Sequence, residues 1–214
     1  MGHPLLLAQV RLFRPRLAGL VFGFFVMGIQ ADTQASQASN AISVEALTKP
    51  LGGNGAGEQF LLGYQDGIPF HRVAIKTLPH AEVGIILDGV VDEAVWKTIS
   101  YYDNMIVAVP NKGLPGEYAS EIRMLATEKG LYVSSIMSQP KDTLVKRFTT
   151  RDEFIDRDTF GITLDMSGEG LVGYWFIVAL GNSLMDGKVL PERNYQRDWD
   201  GPWIGKSATR DDGW

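Results

Sequence analysis

A chain of 214 residues that is 45% hydrophobic and 21% charged can bury one sizeable core, and these proportions exclude a disordered or fibrous protein. It contains no cysteine, which excludes disulfides, thiolate metal sites and cysteine nucleophiles. The net charge is −5, but residues 1–31 hold three arginines and no acid; the remainder, with 17 basic against 25 acidic residues, repels phosphate backbones, so no nucleic-acid partner is expected.

Arg11, Arg14 and Arg16 precede Leu17–Ile29, an apolar run of 13 residues that gives way to small and polar residues from Gln30 through Ala31 and Ala35. This is the order of a secretory signal. The run is shorter than the ~20 residues a helix needs to span a bilayer, and cleavage is expected after Ala31 or Ala35. Residues 1–31 are therefore expected to direct export, making the protein periplasmic, outer-membrane-associated or secreted; an uncleaved anchor would also place it outside the cytoplasm. Residues 32–69, rich in Ser, Gln, Asn, Ala and Gly and without a sustained period, read as a flexible linker.

From His71 to Thr77 the pattern alternates, with Val73, Ile75 and Thr77 on one face and Arg72 and Lys76 on the other, which predicts a half-buried strand. Asp88-Gly89 is a turn, and Asp92 is placed to cap a short helix whose buried side is Val95 and Trp96. Ile122, Met124 and Ala126 alternate with polar neighbours, and Glu128-Lys129-Gly130 separates them from Leu131-Tyr132-Val133, a hairpin pattern. A second hairpin follows: Phe160, Ile162 and Leu164 on one face, a turn at Ser167–Gly170, and a return strand Val172–Leu180 that is apolar on both faces and so is expected to be covered on both. Strands at short intervals with one small helix predict an antiparallel β-sandwich, since no long helices alternate with them as βαβ units require.

Most catalytic chemistry is absent. Beyond residue 31 the only histidines are His71 and His80, which spell no zinc site, and there is no Gly-x-Ser-x-Gly nucleophile turn. Gly201 to Ser207 imitates a phosphate loop but has one residue too few between its glycines, and Trp203 would block backbone approach to a phosphate. Asp156 to Ser167 starts like a calcium loop but has Phe160 at its fifth position and Ser167 at its twelfth, where a bidentate Glu is needed.

Two groups of residues remain informative. Asp152, Glu153, Asp156, Asp158 and Asp165 form an acidic patch with three open readings: a hard-cation site, an acid–base pair acting on a glycosidic bond, or solvated loop charges countered by Arg147, Arg151 and Arg157. Tyr174, Trp175, Tyr195, Trp199, Trp203 and Trp214 crowd the last quarter of the chain. Their faces suit the C–H surfaces of sugars, and such rings also fill ordinary cores.

The run Ile86-Leu87-Asp88-Gly89-Val90-Val91-Asp92-Glu93-Ala94-Val95-Trp96 resembles the opening signature of carbohydrate-binding module family 9. Gly130-Leu131-Tyr132-Val133, Arg151-Asp152-Glu153, Asp156-Arg157-Asp158, Ile162-Thr163-Leu164-Asp165, Tyr174-Trp175-Phe176 and Asp198-Trp199-Asp200 with Trp203 continue the likeness in the same order, from about Phe70 to Trp214. The spacing is most similar to the version found at the N-terminus of large exported bacterial proteins, ahead of a domain of unknown function that looks like an outer-membrane β-barrel.

That resemblance implies a jelly-roll-like β-sandwich over residues 70–214 that binds an oligo- or polysaccharide without being an enzyme, in some members with calcium. Carried onto this chain, it makes Trp199, Trp203, Trp175 and Tyr195 the expected stacking residues, Arg151 a hydroxyl-binding group, and Asp156 and Asp158 the expected calcium ligands. Asp88, Gly89, Asp92, Glu93 and Trp96 read as structural: a turn, a helix cap and a core anchor. Met166-Ser167-Gly168-Glu169-Gly170 departs from the family's acidic and basic turn, and the sandwich is expected to lack its last strand. Two competing expectations are a structural domain packing on an outer-membrane barrel and, using two of Asp152, Asp156, Asp158 and Asp165, a glycoside hydrolase.

Overall fold

The computed structural model describes the backbone of residues 6–11, 24–30, 61–65 and 68–74, and both backbone and side chains of residues 75–103, 105, 107 and 116–214. The expected cleavage points at Ala31 and Ala35, and the linker up to residue 60, lie outside the described residues. Among the described residues eleven strands occur in chain order: β1 (Leu6–Arg11), β2 (Phe24–Gln30), β3 (Leu61–Gln65), β4 (Ile68–Thr77), β5 (Tyr101–Tyr102), β6 (Ser120–Thr127), β7 (Gly130–Met137), β8 (Thr159–Asp165), β9 (Gly173–Ala179), β10 (Leu184–Leu190) and β11 (Asn194–Gln196). One short helix, α1 (His80–Val83), and three 3-10 turns complete them. The protein is an all-β sandwich of two largely antiparallel sheets. No helix among the described residues is long and apolar enough to cross a membrane.

One sheet runs β11-β10-β9-β8 and continues through β2, β1 and β4; the other is β5 and β7 flanking β6. The end of β4 joins the two, Lys76 and Thr77 pairing in parallel with Leu125 and Ala126 of β6. The other parallel pairing is β2 on β8, so part of the apolar run read as an export signal lies beside β8. β3 forms a hairpin with β4 at the end of the stretch read as linker.

Three apolar clusters follow from strand alternation. Ile75, Tyr102, Met124 and Leu164 fill the space between the sheets. Leu125, on the opposite face of β6 from Met124, packs with Val83, Trp96 and Ile99 beneath α1 and its neighbouring turn. Trp175, Ile177, Ala179 and Met185 form the third, on the outer face of β9 and β10. The expectation that the return strand is covered on both faces holds: β9 lies between β8 and β10, with residues on each side at least half-buried.

The expected turn at Asp88-Gly89 is present. The Asp88 carboxylate accepts the Val90 N–H at 2.8 Å, and Gly89, at φ +93°, presses on the Ser207 backbone, where a Cβ would come within 2.6 Å. The helix expected after Asp92 is instead a 3-10 turn, Ala94–Thr98, that begins from Glu93 with no side-chain cap. Glu93 accepts the Ile86 N–H at 2.7 Å, and Trp96 is the buried anchor. Asp92 is thus not the cap. Five residues that must place Trp96 against Leu125 do so in the tighter 3-10 form.

Candidate functional site

The segment after β11 crosses the inner face of β9 and β10, the face that carries Tyr174, Phe176 and Asp186. Trp199 lies 4.5 Å from the Tyr174 ring and 5.8 Å from Phe176, and Trp203 lies 5.4 Å from Phe176. Four aromatic rings thus make one continuous cluster. It is held in place by polar clamps on both sides: Lys188 meets Asp198 at 3.3 Å, and the Gly201 N–H donates to Asp186 at 2.6 Å. Gly201 is required there, because a Cβ would collide with the Trp199 indole.

Beside this cluster sits an arginine surrounded by carboxylates. Arg151 donates to Asp186, meets Asp200 at 3.3 Å and lies 3.6 Å from Asp152. Asp186 is fully buried, and Arg151 and the Gly201 N–H supply the hydrogen bonds its carboxylate needs there. Asp152 accepts the Asp186 N–H at 3.1 Å. Burial pushes its carboxyl up, and the neighbouring Asp186 and Asp200 charges add to the rise, against the Asp186 N–H and Arg151, which oppose it. Oxygens of Asp152, Asp186 and Asp200 lie within 4.8 Å of one another. The guanidinium supplies at that point the positive charge a cation would otherwise bring. Asp200, the most exposed of the three, and the edge of Arg151 offer an acceptor and donors to a polar ligand lying against Trp199.

The structure brings Trp199, Trp203 and Arg151 into one region. It does not bring Trp175 there: that indole is 2% exposed on the opposite face of β9, edge-on to Phe154, with its N–H donated to the Lys188 carbonyl at 3.0 Å. Tyr195 pairs with Val189, whose side chain packs in the Trp175 cluster, so its register also places it on that opposite side. Trp175 and Tyr195 therefore share no surface with Trp199, and β-strand alternation is the reason.

Asp156 and Asp158, the expected calcium ligands, are not among the acids the fold gathers. Asp158 braces a loop, accepting the Val145 N–H at 2.8 Å and Gln139 at 3.3 Å. Asp156 is exposed, and its carbonyl is held by Arg147 at 2.9 Å. Asp165 closes the β8–β9 turn by accepting the N–H groups of Ser167, Gly168 and Gly170. His80 stacks on Tyr132. Asp186 was not singled out by sequence, and Asp200 entered only as part of the Asp198-Trp199-Asp200 run; Asp186 lies in β10, a strand without a clear alternating pattern.

In comparisons with known proteins, no family model, no curated protein and no solved structure matches this chain.

Proposed function

We propose that the protein is an exported, non-catalytic carbohydrate-binding sandwich whose ligand lies against Trp199, with Trp203 beside it and Arg151 and Asp200 addressing sugar hydroxyls. The observation that carries this reading is the juxtaposition of a half-buried indole, set on Tyr174 and flanked by Asp198 and Asp200, with an arginine held in place by carboxylates. Aromatic faces pack the C–H surface of a pyranose while charged groups take its hydroxyls. The order of residues that resembles carbohydrate-binding module family 9 supports the same reading. If residues 1–31 are removed on export, β8 loses its neighbour β2, and N-terminal sequencing of exported material should begin at Asp32 or Ser36.

The test is calorimetry of the full chain against a panel of soluble oligo- and polysaccharides, with and without calcium. Saturable binding that falls on Trp199→Ala is the expected result. A folded sample that binds no glycan would leave the structural role, as a domain packed on an outer-membrane barrel, as the better reading. Dependence on calcium would point to Asp152, Asp186 and Asp200, the acids the fold gathers, and not to Asp156 and Asp158.

A further inference from the structure

The surface around Trp199 has no positive charge to spare. Among the described residues, the two cations tied to it by ion pairs are both held by acids: Lys188 meets Asp198 at 3.3 Å, and Arg151 donates to Asp186, meets Asp200 at 3.3 Å and lies 3.6 Å from Asp152. Arg197 is turned to the other side of the sheet, over the Phe154 ring at 4.0 Å. Four carboxylates therefore stand against two cations, and the excess falls at Arg151, where three acids share one guanidinium. The Asp152 carboxyl registers that excess: burial raises it, and the Asp186 and Asp200 charges push the same way.

This negative charge meets solvent at the aromatic platform. Asp186 is fully buried and the Asp152 side chain is 27% exposed, whereas that of Asp200, next to Trp199 in the chain, is 73% exposed. The indole itself, half-buried 4.5 Å from the Tyr174 ring, attracts cations through its quadrupole as well as packing C–H surface. Two separate features, the carboxylate excess and the π face, thus favour positive charge at one place.

That combination discriminates among sugars. A uronate or sulfated sugar would bring one more anion to a surface whose cations are already taken, and like charges in contact reject a partner. A neutral sugar gives hydroxyl hydrogens to the carboxylates but leaves the excess charge as it was. An amino sugar offers C–H surface to the indole and an ammonium with three donors to Asp200.

We propose that the ligand is an amino-sugar oligomer or polymer whose ring lies on Trp199 while its protonated amine pairs with Asp200, and that uronates and sulfated glycans are rejected. This inference rests on the carbohydrate reading and names the class of sugar within it. The residues beyond 31, with 17 basic against 25 acidic, add a field of the same sign that draws such a ligand in.

The probes are the pentamers of glucosamine, N-acetylglucosamine, glucose and galacturonate, with pentalysine as a polycation that has no sugar ring. Each is titrated into the full chain by calorimetry at about pH 6, where aspartate is ionised and an amine is protonated, with EDTA present to exclude metal. The glucosamine pentamer should bind at least about threefold tighter than the glucose and N-acetylglucosamine pentamers at low salt, and the galacturonate pentamer weakest. The preference should shrink towards parity as salt rises to about 1 M, where screening acts within ~3 Å. Asp200→Asn should bring the ratio of glucosamine to glucose affinities close to one; the ratio cancels any loss common to both, and the salt series gives the same discrimination without a variant. Glucose or galacturonate binding as tightly as glucosamine, a preference indifferent to salt or to Asp200→Asn, or equal binding of pentalysine would each overturn this inference, while saturable binding of the glucose pentamer would still uphold the carbohydrate reading. A folded chain that binds none of the four sugars would overturn both.

Discussion

The two faces of β9 are built from the same strand and behave differently. On the outer face, Trp175, Ile177 and Ala179 are buried against Phe154 and Met185, and the Trp175 N–H has its acceptor. On the inner face, Tyr174, Phe176 and Val178 are half-buried, Trp199 and Trp203 lean on them, and the Trp203 N–H has no acceptor among the described residues. A closed, tightly buried face contributes stability; a face with spare aromatic surface is where a ligand gains most.

Substitutions can break that contrast or sharpen it. The largest effect is expected on the closed face, where Trp175→Ala should cost about 3–5 kcal/mol in denaturant unfolding; a loss below 1 kcal/mol would mean the outer face is not a core. At the polar edge, Arg151→Ala strands the buried Asp186 carboxylate and should cost about 3 kcal/mol, since breaking a buried pair from one side leaves an unpaired charge; Asp186→Asn in the same background should recover part of it. Gly187→Ala drives a methyl into Trp175 and the Gln196 carbonyl and should cost about 1–3 kcal/mol by thermal melt.

On the open face the ordering of effects reverses. Trp199→Ala should lower stability by only about 1 kcal/mol yet weaken glycan binding at least about tenfold. The smallest effect is expected at Asp152, whose backbone sits at φ +63°, a conformation asparagine adopts more readily, and whose carboxyl titrates above its ordinary value of 3.8. A raised carboxyl binds its proton more tightly folded than unfolded, so its charge costs stability as pH rises through that higher value. Asp152→Asn should therefore gain about 0.5 kcal/mol at pH 7, and the gain should fade as pH falls through that raised value towards 3.8.

Much of the fold was legible because strand alternation is local. The β6–β7 and β8–β9 hairpins, the Asp88-Gly89 turn and the burial of Trp96 all follow from patterns a few residues long. β10 was not legible, since Leu184–Leu190 contains a buried acid and a glycine whose reasons, Arg151 and the Trp175 ring, lie elsewhere in the chain. The capping role expected of Asp92 failed because the turn begins one residue later. For the site, the sequence marked the right aromatic quarter and the right arginine, but it grouped Trp175 and Tyr195 with Trp199, and it placed the acids by neighbourhood in the chain.

What the sequence by itself determined is an all-β chain, the strand at β4, the β6–β7 and β8–β9 hairpins, several turns and a concentration of aromatic and acidic side chains. Alternation states that neighbouring residues point to opposite faces, but not which face meets another sheet. Only the tertiary structure decided that Trp175 is buried core and Trp199 half-buried on the opposite face, that Asp186 meets an arginine 35 positions away, and that β7 has no second neighbour among the described strands. Those outcomes depend on long-range pairing, and register and packing partners are fixed by the whole chain at once.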